Sequence, residues 1–161
     1  MSDLRELYQE VIVDHSKRPR NFKKLETANR WADGFNPLCG DKVTVYLTIK
    51  NGIVEEAAFE GAGCAISMAS ASMMTESLKH KTEKEALELF ERFHALVTRR
   101  PDSNSTEGVQ DFEEISEETG LGKLSVFSGV CEFPARVKCA SLAWHAVKTA
   151  IKNEGKVAST E

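Results

Sequence analysis

The sequence has no apolar run approaching the roughly 18 residues of a membrane-spanning helix. Its start, Met1-Ser2-Asp3-Leu4-Arg5-Glu6, lacks the basic-then-apolar order of a secretory signal. Both absences predict a cytoplasmic protein with no membrane partner. It also has no excess of positive charge, since 21 Lys and Arg face 25 Asp and Glu for a net charge of −4. That balance lacks the electrostatic footprint of a nucleic-acid binder and leaves proteins or small molecules as partners. Cysteine is sparse, with Cys39, Cys64, Cys131 and Cys139 in 161 residues. In a small secreted domain four would suggest two disulfides, but a reduced chain of this length folds on its core, so thiol chemistry or metal binding is the better question. Proline is as sparse, also with four residues, and no Pro- or Gly-rich linker or internal repeat divides the chain, which predicts one domain over residues 1–161. What is present is 41% hydrophobic and 29% charged residues, enough for a packed core and a soluble surface.

Leu4, Leu7, Tyr8, Val11 and Ile12 recur at helical spacing, with Ser2 or Asp3 as cap and Pro19 as barrier to continuation. Residues 27–35 carry a weaker pattern with room for one short strand. Val43, Val45, Leu47 and Ile49 alternate with Thr44, Tyr46, Thr48 and Lys50, as a half-buried strand should. Asn51-Gly52 is a strong hairpin signal, and Ile53 to Phe59 form the returning strand. Past the loop Glu60-Gly61-Ala62-Gly63, residues 64–79 are rich in Ala, Ser and Met and predict a closely packed helix. Thr82-Glu83-Lys84-Glu85 resembles a capping box and opens a helix ending before Pro101. Residues 101–123 are polar and acidic and predict a mobile insertion with a short helix around Phe112 to Ile115. The last helix opens at Pro134 and runs to about Asn153. It places Val137, Ala140, Trp144, Val147 and Ile151 on one face and Lys138, His145, Lys148 and Lys152 on a separate polar stripe.

Each cysteine alone is weak evidence of chemistry. Cys39 lies in Asn36-Pro37-Leu38-Cys39-Gly40-Asp41, where an extended backbone points Cys39 and Asp41 the same way and a simple turn with a buried thiol explains the sequence equally. Cys64 stands where a helix begins, a place that favours an anion and makes a thiol a better ligand or nucleophile. It also suits a small residue in a tight loop. Cys139 has Arg136 and Lys138 beside it, yet shares an apolar arc with Leu142 and Ala146. Taken together they read differently. A hairpin preceding a helix, with the last helix packed on its sheet, could bring Cys39, Asp41, Cys64 and Cys139 to one end of the sheet. Three sulfurs and a carboxylate would complete a tetrahedral zinc shell of net negative charge, giving Arg136 and Lys138 an electrostatic reason to be near. Cys131 is the odd one out: its position, with seven residues between it and Cys139, leaves room for a redox or fourth-ligand role, but a free or packed thiol is the better reading. His15 closes the first helix, where imidazolium is favoured. His80 and His94 have no partner motif, and His145 lies well round the helix from Cys139. No Cys-His hydrolase pair is identifiable.

The blocks Asp14-His15-Ser16-Lys17-Arg18-Pro19-Arg20-Asn21, Asn36 to Asp41, Phe59 to Thr75 and Phe133 to Trp144 resemble the U-type iron-sulfur assembly proteins of the IscU/NifU-like family, particularly the SufU branch. They cover most of the chain outside the acidic insertion. The resemblance implies an α+β fold with a small, mostly antiparallel three-stranded sheet and helices packed on it. It implies metal-ligand roles for Cys39, Asp41, Cys64 and Cys139. In IscU scaffolds a histidine immediately precedes the third cysteine, where this chain has Lys138, and a Leu-Pro-Pro-Val-Lys segment is replaced here by Phe133-Pro134-Ala135-Arg136-Val137-Lys138. Both departures favour the SufU branch, as does the insertion.

That branch implies zinc-dependent sulfur transfer beside a pyridoxal-phosphate-dependent cysteine desulfurase of the SufS type, with other Suf assembly proteins as further partners. In the implied mechanism a desulfurase histidine exchanges for one zinc ligand and releases Cys39. Cys39 then attacks the outer sulfur of the enzyme persulfide, while Arg136 steadies the released thiolate. Two other readings use the same residues: a scaffold assembling an iron-sulfur cluster, since thiolates bind iron as well as zinc, and a structural metal module used for association alone.

Overall fold

A computed structural model describes residues 2–37, 40–98, 124, 126, 127, 130, 134–152 and 157–159, and for residues 2–8, 134 and 157–159 the backbone only. The acidic insertion at 101–123, Cys39 and Cys131 therefore lie outside the described residues.

The hairpin is the organising element. Strands β2 (Asp41–Lys50) and β3 (Ile53–Ala62) pair antiparallel from Lys50↔Ile53 to Lys42↔Ala62. Asn51 and Gly52 turn the chain at φ 55 and 76, the two left-handed conformations that match the twist of the flanking strands. Alternation buries Val43, Val45, Leu47 and Ile49; Thr48 is buried as well, with its Oγ1 3.2 Å from Thr27 Oγ1, and the ladder shifts register between Thr48 and Ile49, where Glu55 of β3 is the extra residue. The segment expected to be a loop after Phe59 remains strand to Ala62, because the ladder to Val43 and Lys42 continues. Strand β1 (Arg30–Asn36), the weakest of the sequence expectations, pairs antiparallel with β2 and ends in the pair Asn36↔Asp41.

Among the described residues four long helices accompany this three-stranded antiparallel sheet: α1 (Ser2–Lys17), α2 (Ala65–Leu78), α3 (Glu83–Thr98) and α4 (Pro134–Lys152). Helices α2 and α4 pack on the sheet and on each other, with α1 against α2 and α3 against α4. A fourth, three-residue strand, β4 (Val157–Ser159), extends the sheet order to β3-β2-β1-β4 and runs parallel to β1. No helix among the described residues is long and apolar enough to cross a membrane.

Local chemistry sets the helix ends. Thr82 Oγ1 accepts from Glu85 N and Glu85 Oε1 accepts from Thr82 N, both at 3.0 Å, so the capping box closes as its spacing predicted. At the far end of α4, Arg30 Nη1 donates to the Ile151 carbonyl at 2.8 Å, satisfying an acceptor that the helix leaves over. The core centres on fully buried Trp144. Its ring stacks on Phe93 at 4.6 Å, and its Nε1 donates to Ser70 Oγ at 3.1 Å. Ser70 in turn donates to the Ala140 carbonyl at 2.5 Å, locking α2 to α4.

Two histidines depart from the sequence expectation. His15 is in the last turn of α1 but is buried, with Nδ1 2.8 Å from Ser72 Oγ on α2 and Nε2 3.8 Å from Glu76. Ser72 also accepts the Arg20 amide at 2.8 Å, and Asn21 Nδ2 donates to Thr75 Oγ1 at 3.1 Å. The Asp14–Asn21 motif thus laces α1 to α2. His145 is not on a solvated stripe, since its ring packs edge-on against Phe90 of α3 at 5.3 Å and beside His94 at 5.8 Å. Burial, with His94 and Lys148 adding repulsion, holds it below the ordinary 6.5. A helical wheel cannot show that α3 covers this stripe.

Candidate metal centre

Three secondary-structure ends meet at one end of the sheet. Asp41 opens β2 and is 4% exposed, Cys64 is the N-cap of α2, and Cys139, 1% exposed, is in the second turn of α4. One carboxylate oxygen and the two sulfurs lie within 4.8 Å of one another, and no histidine joins them among the described residues.

The surroundings hold these side chains in place. Cys64 has extended backbone angles, φ −70 and ψ 169, and its Sγ accepts from Ser67 N at 3.5 Å, the bond that a capping side chain makes. Its own amide donates to Asp41 Oδ1 at 3.2 Å, while Ser67 Oγ donates to Asp41 Oδ2 at 3.1 Å. Ser67 Oγ also stands 3.2 Å from the Cys139 carbonyl oxygen. Cys139 Sγ is 3.6 Å from the Ala135 carbonyl and 4.0 Å from Nδ2 of fully buried Asn36. Gly63 completes the packing, because a Cβ there would stand 3.0 Å from Asp41 Cγ and 3.1 Å from Ser67 Cβ.

The donor set fits a borderline-soft divalent cation. In a tetrahedral site with bonds of about 2.0–2.3 Å, ligand atoms stand roughly 3.3–3.8 Å apart, so a spread reaching 4.8 Å needs about 1 Å of contraction. Two sulfurs with a carboxylate suit zinc or iron better than a hard cation. The three described residues leave one of four tetrahedral positions open.

Of the site residues expected from the sequence, Asp41, Cys64 and Cys139 are brought together, and Cys39 is outside the described residues. The bracketing residues are placed: Asn36 pairs with Asp41, and Gly40 N donates to Asn36 O at 2.8 Å. Arg136 is exposed in the first turn of α4, one turn before Cys139, and Lys138 is half-buried. Sequence reasoning assigned no role to Ser67, Asn36 or Gly63. The available signal for Ser67 was its position three residues after a capping Cys64, where N-terminal amides and side chains meet.

The model of the NifU-like N terminal domain family matches residues 7–109. The chain belongs to this family of iron-sulfur cluster assembly proteins. A family member from Bacillus subtilis, the zinc-dependent sulfurtransferase SufU, is 39% identical over 153 residues, 95% of each chain. The iron-sulfur cluster assembly scaffold protein IscU of Streptococcus pyogenes serotype M1 is 37% identical, over 94% of this chain and 87% of its own. Among solved structures, a candidate cluster assembly scaffold for the SUF system from Fervidobacterium islandicum AW-1 superposes with a TM-score of 0.73 at 34% identity, covering 91% of this chain and 97% of its own. The NifU-like chain thus has the fold of IscU- and SufU-type proteins.

Proposed function

We propose that this chain is a zinc-dependent sulfurtransferase that accepts persulfide sulfur from a pyridoxal-phosphate-dependent cysteine desulfurase of the SufS type for iron-sulfur cluster assembly in the cytoplasm. The observation carrying this reading is the Asp41-Cys64-Cys139 group, with Asp41 and Cys139 buried and Cys64 half-buried, whose donors suit zinc. The similarity to a relative named as a zinc-dependent sulfurtransferase supports it. Cys39 is the proposed fourth ligand and the sulfur acceptor. Zinc, when bound, would keep the cysteines as thiolates and shield them from oxidation.

The group transfer is a thiolate attack. The Cys39 thiolate attacks the outer sulfur of the donor persulfide, a new S–S bond forms, the donor S–S bond breaks, and its electron pair leaves on the donor cysteine. No oxidant or reductant is consumed. Arg136 is exposed on α4 one turn before Cys139, and its guanidinium would offset thiolate charge during transfer. Asp41 and Cys139 are almost fully buried and hold position, whereas Cys64 is partly accessible.

The test is intact mass and zinc content after incubation with desulfurase and cysteine. The wild-type chain should carry about one zinc and gain sulfur, and Cys39→Ala should gain none. A purified chain without zinc, together with undiminished sulfur gain in Cys39→Ala, overturns the proposal. The second reading, a cluster scaffold, is favoured by the similarity to IscU of Streptococcus pyogenes. It requires that a cluster reconstituted on this chain pass to an apo-acceptor, and it fails if transfer is absent while sulfur acceptance persists.

A further inference from the structure

We propose that Ser67 is a positioning residue that orients Asp41 within the metal centre, an inference resting on the zinc reading above. Ser67 is 9% exposed and touches all three described ligand residues: its amide reaches Cys64 Sγ at 3.5 Å, and its hydroxyl reaches Asp41 Oδ2 at 3.1 Å and the Cys139 carbonyl at 3.2 Å. A hydroxyl has one proton, so these two acceptors share a single donor.

The consequence falls on the carboxylate. Oδ1 accepts the Cys64 amide at 3.2 Å and Oδ2 accepts Ser67, so each oxygen has a partner supplied by the first turn of α2 or its cap. Each retains a lone pair for a metal, but rotation about the broad terminal torsion of an aspartate would break both bonds. Ser67 therefore holds Asp41 to one orientation and favours ligation through a single oxygen. Hydrogen-bond partners of ligating carboxylates carry about 10- to 100-fold of metal affinity.

Ser70 separates this role from ordinary packing. It is buried one turn further along α2 and bonds Ala140 of α4, as Ser67 bonds Cys139 of α4, but its hydroxyl is engaged by Ala140 and Trp144 of the core. Zinc affinity, measured by competition with a chromophoric chelator, and the visible spectrum of the cobalt(II) form should be compared in the full-length wild type, Ser67→Ala and Ser70→Ala. Ser67→Ala should bind zinc about 10- to 100-fold more weakly with an altered cobalt spectrum. Ser70→Ala should lower the thermal midpoint of the metal-free chain while leaving zinc affinity at the wild-type value. In an Asp41→Ala background, Ser67→Ala should change zinc affinity by less than about twofold, because its effect passes through the missing carboxylate. Wild-type zinc affinity and cobalt spectrum in Ser67→Ala overturn the inference alone, as does an equal loss in Ser70→Ala or a full additional loss in the Asp41→Ala background. A wild-type chain that binds no zinc overturns the inference and the zinc reading together.

Discussion

Replacing Gly63 with alanine tests whether the centre is as tightly built as its distances indicate. The new methyl would lie 3.0 Å from Asp41 Cγ, 3.1 Å from Asp41 Oδ1 and 3.1 Å from Ser67 Cβ. Non-bonded carbon contacts are comfortable at about 3.5–4.0 Å, so the carboxylate must retreat by roughly half an ångström. Metal–ligand distances tolerate only about 0.2 Å. A displaced Asp41 then either lengthens its metal bond or sacrifices the bonds from the Cys64 amide and the Ser67 hydroxyl, at about 10- to 100-fold in affinity. The fold should lose less. Crowding in a packed site costs about 1–3 kcal/mol, and stiffening the unfolded chain returns about 0.4–1 kcal/mol. The metal-free variant should therefore unfold in urea with a loss of no more than about 2–3 kcal/mol and an unchanged m-value. Chelator competition and urea unfolding on the same preparation check both parts. Gly63→Ala with wild-type zinc affinity would refute the reasoning, because it would mean that Asp41 is not confined by its neighbours or does not bind the metal.

Two further outcomes follow from the core. Trp144→Ala should cost about 3–5 kcal/mol, since it removes a fully buried ring stacked on Phe93 and the donor to Ser70, and a urea-measured loss below about 1 kcal/mol would contradict this packing. His145 is held below its ordinary value, so the folded chain prefers the neutral ring while the unfolded chain takes up a proton near 6.5. Its contribution is fully present above pH 6.5 and declines as the pH falls below that value. In metal-free protein His145→Gln should lose less stability than wild type between pH 7 and about 5.5, and parallel pH profiles for the two would sink the assignment.

The parts legible in the sequence were those with strong local physics. The β2–β3 hairpin followed from alternation and Asn51-Gly52, and the start of α3 from the Thr82–Glu85 box. The grouping of Asp41, Cys64 and Cys139 is not local: the spacing only allowed it, and the family resemblance pointed to it. What escaped depends on distant partners. Three residues of β4 are too few to show alternation, and their place is set by β1. His145 looked solvated because only tertiary packing brings Phe90 over it. His15 looked like a helix-end charge because Ser72 lies 57 residues away. Ser67 was hidden in a run of small residues typical of close helix packing, and its meaning depends on a carboxylate contributed by strand β2.

The closed pair Asn36↔Asp41, with Gly40 N bonded to Asn36 O, also limits how a sulfur on Cys39 could travel. Cys39 precedes Asp41 by two residues in the sequence, and two Cα–Cα steps of about 3.8 Å span at most roughly 7–8 Å. A carrier on so short a tether cannot swing between a donor and a distant acceptor as a long flexible arm would. Under the proposed role, the cargo would travel with the whole chain. Delivery would then be a matter of sequential docking: the same end of the sheet would be presented first to the donor and then, after dissociation, to the acceptor, and the two would compete for one surface.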